Sequence, residues 1–112
     1  MKDCASSLHE IPSRPRPRYA EDIAASTTMT ILPADPNKHY QLYGFIISTD
    51  TAGDYQVAMG SDVVGRYFLA ATSGVGIFFT PFYCSTGNTN EAVTMTKPAG
   101  AKTSVTTFAG LV

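Results

Sequence analysis

The chain has 112 residues, a formal net charge of -1 and only 15% charged residues, well below the roughly 25% of a typical soluble domain. This length suits one domain, and the missing basic excess argues against a general nucleic-acid binder. No segment approaches the roughly 20 apolar residues of a membrane helix, and the start lacks the apolar core of a signal peptide. We therefore expect one soluble domain that binds neither nucleic acid nor a membrane.

The first 25 residues differ in composition from the rest. The stretch "IPSRPRPRYAED", residues 11–22, contains three prolines and three arginines. Each proline lacks an N–H and disfavours helix in the residue before it, so the segment is predicted to be an extended, polyproline-like rod. We predict an N-terminal arm over residues 1–25 that contacts a partner through Arg14, Arg16, Arg18 and Tyr19; a solvated, disordered tail is the less favoured alternative.

Residues 26–112 show a β pattern throughout. The segments "STTMTIL", "YQVAM" and "EAVTMTK" alternate apolar and polar residues with a period of two. "HYQLYGFIIST" is apolar on both faces, as in a central strand, and "VVGRYFLAA" and "KTSVTTFAGLV" are predicted as further strands. "TSGVG" is predicted as a loop before a strand in "IFFTPFY". Seven to eight short strands separated by turns predict an all-β fold, an antiparallel β-sandwich over residues 26–112.

Residues that would support catalysis or metal binding are scattered. His9 and His39 have no metal-ligand partner at a suitable spacing, and no G-x-S-x-G motif occurs. Asp50 and Asp54 flank a glycine turn, where a plain turn is favoured over a calcium site. We therefore predict no catalytic residue, no metal site and no cofactor, and a protein that is not an enzyme.

The two cysteines, Cys4 and Cys84, lie 80 positions apart. A disulfide between them is one interpretation. Two free thiols in a reducing compartment is the interpretation that so few cysteines favour.

The chain has no Trp, but it has six Tyr and six Phe. Most of them fall on predicted core positions. Three aromatic residues are expected to face outward and to serve as oligomer-interface residues, because protein interfaces favour aromatics and deplete charge: Tyr67, Phe78 and Phe82. A sugar-binding platform is the less favoured alternative.

Residues 38–112 resemble the small jelly-roll proteins of tailed-bacteriophage capsids. The resemblance lies in a buried strand followed by "S-x-D-x-A-G", a glycine-containing loop before an aromatic strand, and a "G-x-x-x-x-A-V" segment before a closing Thr/Val strand. The matching residues are Ser48, Asp50, Ala52, Gly53, Gly74, Gly76, Gly87, Ala92 and Val93.

The resemblance implies a jelly-roll-like sandwich and a capsid decoration, or cement, protein. Such a protein is made in the host cytoplasm, binds the major capsid protein on the exterior of the virion, and forms a homotrimer. The arm departs from a simple polybasic segment, since it also contains four acidic residues. The alternative function is a head-fibre or tail-associated module that binds a host receptor or glycan through its loops.

Overall fold

The computed structural model describes residues 3–4, 16–22, 27–79 and 83–112. These residues form ten β-strands and no helix, in the order β1 Asp3–Cys4, β2 Arg16–Asp22, β3 Thr28–Leu32, β4 Tyr40–Thr49, β5 Gly53–Met59, β6 Asp62–Leu69, β7 Ser73–Phe78, β8 Cys84–Ser85, β9 Val93–Thr96 and β10 Thr103–Leu111. All strand pairs are antiparallel. The predicted all-β class is therefore confirmed.

The strands form two sheets that pack together as a sandwich. Sheet A has the order β1-β8-β4-β10-β2, with β7 also paired to β4, and sheet B has the order β3-β9-β5-β6. The pairs β2–β10, β3–β9, β4–β7 and β5–β6 are nested, as in one long hairpin. The further pairs β4–β10 and β5–β9 roll this hairpin into two sheets. This nested order is a jelly roll.

The core lies between the inner faces of the two sheets. Alternate residues of β10 are buried, and the residues between them are more exposed, as expected when one face of a strand packs on a core. The fully buried side chains of greatest volume come from both sheets: Tyr55, Phe45, Leu32, Leu42, Ile47 and Met95.

Residues 16–22 are a strand of sheet A, although the sequence placed them in an arm outside the sandwich. β2 pairs with β10 over all seven of its residues, from Arg16↔Ala109 to Asp22↔Thr103. Proline excludes helix but is tolerated in an edge strand, and β2 lies at the edge of sheet A. The boundary predicted at residue 26 is thus wrong for this segment, while its extended conformation was predicted correctly.

The predicted "TSGVG" loop is also wrong, because β7 begins at Ser73 and includes Gly74 and Gly76. A Cβ at Gly74 would lie 2.6 Å from the carbonyl oxygen of Ile47 on the paired strand. Glycine therefore permits a close approach of two strands here, rather than a loop.

Candidate functional site: an apolar face on sheet A

The outer surface of sheet A is built from three rows of side chains that run across β7, β4, β10 and β2. Residues paired directly across antiparallel strands project to the same side of the sheet. The rows are Gly74, Ser48, Ser104, Glu21; then Gly76, Ile46, Thr106, Tyr19; then Phe78, Gly44, Phe108, Pro17. Glu21, in the first row, is the only charged residue among these twelve.

The second and third rows together form what we call the apolar face. None of its eight residues is charged, and the only polar groups among their side chains are the hydroxyls of Thr106 and Tyr19. Tyr19 is 64% exposed, Phe78 56% and Ile46 41%. The largest exposed apolar patch of a protein is often functional, so this face is a candidate interaction surface.

Two glycines allow the Phe78 ring to lie along the sheet. A Cβ at Gly44 would come within 2.7 Å of Cδ1 of Phe78, and a Cβ at Gly76 within 3.2 Å of its Cε2. The ring thus lies over positions that have no side chains. The Phe108 ring lies next to it, with ring centroids 5.8 Å apart and planes tilted by 43°. The result is a continuous aromatic surface with the Phe78 ring close against the sheet.

β2 divides its side chains between two sides of the sheet. Tyr19 and Pro17 lie on the apolar face, because they pair with Thr106 and Phe108. Arg16 and Arg18 alternate with them and are exposed on the other side, at the open edge of the sandwich. We call these two residues the arginine pair.

The positive charge of Arg18 acts on the phenol of Tyr40. Burial raises the pKa of Tyr40, and the positive charge of Arg18 opposes that shift. The Tyr40 hydroxyl donates a hydrogen bond of 2.5 Å to the carbonyl of Pro33. Arg18 is thus exposed at this edge, while the Tyr40 phenol is buried and held by its hydrogen bond to Pro33.

Only some of the predicted interface and arm residues lie on the apolar face. Phe78 and Tyr19 lie together on the apolar face. Tyr67 does not face outward as expected: it is opposite the fully buried Tyr55, and its ring meets Phe45 edge-on at 5.9 Å. Arg14 and Phe82 lie outside the described residues.

The outer surface of sheet B has a different character. Its β3 and β9 strands present Thr28, Thr30, Thr94 and Thr96 in directly opposed pairs. On β6, Phe68 is 76% exposed, and the Arg66 guanidinium lies 5.2 Å from its ring centroid. Arg66 also forms a 2.7 Å ion pair with Asp54, which lowers the pKa of that carboxyl. Sheet B thus presents hydroxyls, an ion pair and the exposed ring of Phe68, whereas the apolar face of sheet A has no charged group.

A shallow depression of about 280 Å³ lies at the end of sheet A beyond the first row. Its lining includes Ser48, Ser104, Glu21, Asp50, Lys102 and Thr72. Asp50 accepts hydrogen bonds from the Thr51 hydroxyl (2.7 Å) and the Lys102 backbone N–H (2.8 Å), and these bonds lower its pKa. The depression therefore combines hydroxyl groups with an ionised carboxylate.

The expectation of two free thiols is wrong for Cys84, which is disulfide-bonded and fully buried. The only other cysteine in the chain is Cys4. The backbone of Cys4 in β1 lies directly opposite Cys84 in β8. Sequence separation did not reveal this pairing, because it depends on which strands become neighbours.

Ile46 and Phe108 are residues of the apolar face that the sequence alone did not reveal. Ile46 belongs to a segment that is apolar on both faces, a pattern that predicts a strand covered on both sides. Phe108 lies an odd number of residues from the buried Val105 and Ala109 of the same strand, so its side chain projects to the opposite face. That spacing was the available signal for an outward-facing aromatic residue.

Among the described residues, no group of three or more His, Cys, Asp or Glu is placed to hold a metal ion. The same residues contain no helix of the length and hydropathy needed to cross a membrane. No protein-family model matches the chain, and comparison with curated proteins finds no match.

Proposed function

We propose that this chain is a non-enzymatic structural virion protein that binds the exterior of a phage capsid, contacts the major capsid protein and stabilises the shell as an oligomer. The proposal is supported by the resemblance of residues 38–112 to capsid decoration proteins and by the jelly-roll fold. The observation on which it chiefly depends is the division of β2 between an apolar face and an exposed arginine pair.

The arginine pair supplies the proposed shell contact. Arg16 and Arg18 are exposed on a strand that pairs along its whole length with β10, so their backbone is held in place. A guanidinium forms two parallel hydrogen bonds with a carboxylate, which a lysine ammonium does not. The strand thus holds two forked cations in fixed positions for acidic groups of a partner. Arg14 precedes them in the sequence and extends the basic run.

The test is binding of the full chain to phage heads assembled without it. Changing Arg14, Arg16 and Arg18 together to Ala should weaken binding tenfold or more, since about 1.4 kcal/mol corresponds to a factor of ten. Lysine at the same positions should restore part of the binding. High salt should weaken the parent more than the triple Ala variant, because exposed ion pairs are screened.

The matched control is Arg66→Ala, which removes an exposed arginine from sheet B and should leave binding unchanged. A triple Ala variant that binds heads as well as the parent at both salt concentrations would contradict the proposed shell contact. If Arg66→Ala weakened head binding to the same degree, the loss would reflect the overall charge of the protein rather than a contact made by the three arginines.

The second candidate function is a recognition module on a head fibre or tail, and the depression at the end of sheet A favours it. Its hydroxyls and the Asp50 carboxylate are groups that hydrogen-bond the hydroxyls of a sugar. Binding of the full chain to a glycan array, lost on Ser104→Ala but retained in the triple Arg variant, would support this function. Failure to bind any glycan, together with stoichiometric addition to undecorated heads, would reject it.

A further inference from the structure

We infer that a second copy of this chain packs on the apolar face, and that this packing leaves the arginine pair free to bind. The first part stands on the face itself, while the second rests on the proposed function. The occupant is another copy of the chain, not the shell. Four observations lead to this conclusion.

The apolar face has no charge that an identical face would repel. Its eight positions include neither acid nor base. Like charges juxtaposed across an interface cost several kcal/mol, and two copies of this face bring none together.

The close position of the Phe78 ring against the sheet suits packing of one sheet on another. The Phe78 ring lies over Gly44 and Gly76, so it fills the space that side chains at these two positions would occupy. Two sheet faces pack at about 10 Å through interdigitating side chains, as the two sheets of this sandwich do. Contacts of Phe78, Ile46 and Tyr19 with the same residues of another copy would remove their exposed surface from water.

The rows of sheet A have the arrangement of an interface centre and rim. Four strands and two rows cover roughly 300 Å² of sheet, about a third of the 800 Å² that each partner buries in a standard interface. The adjoining first row is polar, with Ser48, Ser104 and Glu21. Apolar centres with polar rims are the usual anatomy of interfaces. The apolar face is therefore the centre of a larger contact, and association should depend on concentration.

The alternation of β2 keeps the two contacts separate. A copy that covers Tyr19 does not cover Arg16 or Arg18, because adjacent residues of a strand project to opposite sides. Assembly of several copies would place several arginine pairs at fixed positions on one particle. Multiple attachment points raise overall affinity without any new contact.

The experiment measures the mass of the full chain in solution by light scattering across a concentration series, with no shells present. The parent should change from one chain to an oligomer as concentration rises. The double variant Ile46→Ser/Phe78→Ser should need at least tenfold higher concentration to do so. Phe68→Ser removes an even more exposed ring from sheet B and should behave as the parent.

A second pair of variants does not depend on removing apolar side chains. Thr106→Glu and Thr106→Lys each place a charge in the middle of the face, and each alone should stay a single chain. Mixing the two should restore assembly, because opposite charges then meet. Circular dichroism and thermal unfolding of each variant show whether the sandwich is intact.

Three outcomes would overturn the inference. The first is a parent that stays a single chain at every concentration. The second is a double variant that assembles as well as the parent. The third is a Phe68→Ser variant that loses assembly to the same degree as the double variant. Loss of head binding by the double variant, with a parent that is always a single chain, would assign the face to the shell. The two parts of the inference are supported separately if the double variant fails to assemble, while the Arg variants assemble like the parent but bind heads poorly.

Discussion

The rings of Phe78 and Phe108 lie on either side of Gly44 on the outer surface of sheet A, with their centroids 5.8 Å apart. Gly44 is paired directly with both residues, one on β7 and one on β10. The missing side chain at this position lets two large rings approach across a central strand. The aromatic surface used in the proposed self-association thus depends on a residue that contributes no side chain.

Replacing Gly44 with Ala should destabilise the fold. The added Cβ would lie 2.7 Å from the carbonyl oxygen of Ile77, a backbone atom that cannot move without disturbing the sheet. Overpacking of this kind typically costs about 1–3 kcal/mol, and we expect the free energy of unfolding in urea to fall by that amount. Gly76→Ala is the control, since its nearest atom is in the side chain of Phe78. Equal unfolding free energies for the parent and Gly44→Ala would contradict the prediction.

Stability should fall in acid partly because of Asp50. Hydrogen bonds from Thr51 and Lys102 lower its pKa in the folded state below the ordinary value of 3.8. Ionised Asp50 therefore stabilises the fold fully above the unfolded-state pKa, and this contribution is lost as pH falls through the lower folded-state pKa. Asp50→Asn should make the decline of unfolding free energy below about pH 4 shallower.

The effect of salt on stability in acid should distinguish Asp50 from Asp54. The pKa of Asp54 is lowered mainly by its hydrogen bond with the exposed Arg66, and also by the positive charge of that residue. High salt screens exposed charges, so it should reduce the contribution of Asp54 more than that of Asp50. Urea unfolding at several pH values, with and without salt, measures both. An Asp50→Asn variant with the acid dependence of the parent would refute the assignment.

Reduction of the disulfide at Cys84 should lower stability by about 2–4 kcal/mol, because the bond closes a loop of roughly 80 residues in the unfolded chain. Urea unfolding with and without reductant, and of Cys84→Ser, measures the change. Thiol titration of unreduced, denatured protein should find no free thiol, and after reduction it should find two. Two titratable thiols before reduction would contradict the disulfide.

Period-two alternation was sufficient to predict most strands. "STTMTIL", "YQVAM" and "EAVTMTK" correspond to β3, β5 and β9. The wrong predictions concern prolines and glycines, because each of these residue types is compatible with two kinds of local structure. Prolines permit an edge strand as well as an arm, which misplaced residues 16–22. Glycines permit close strands as well as a loop, which misplaced the start of β7.

The outward or inward direction of aromatic residues was harder to predict. Arg66 next to Tyr67 was an available signal, because the charged residue must face solvent and its neighbour then faces inward. The same alternation turns Phe68 outward. Aromatic content alone predicts Tyr67 as outward-facing and does not distinguish it from Phe68, whereas this alternation does.

The sequence by itself determined the all-β class, most strand positions and the low charge of the surface, since these follow from composition and from contacts between near neighbours. Only the tertiary structure decided that β2, β10, β4 and β7 lie side by side, that Cys84 is opposite Cys4, and that Phe78, Phe108, Ile46 and Tyr19 share one face. The physical reason is that alternation gives each strand two faces but does not say which is covered. That depends on pairing between strands far apart in the chain, where one residue of register exchanges the buried face for the exposed one.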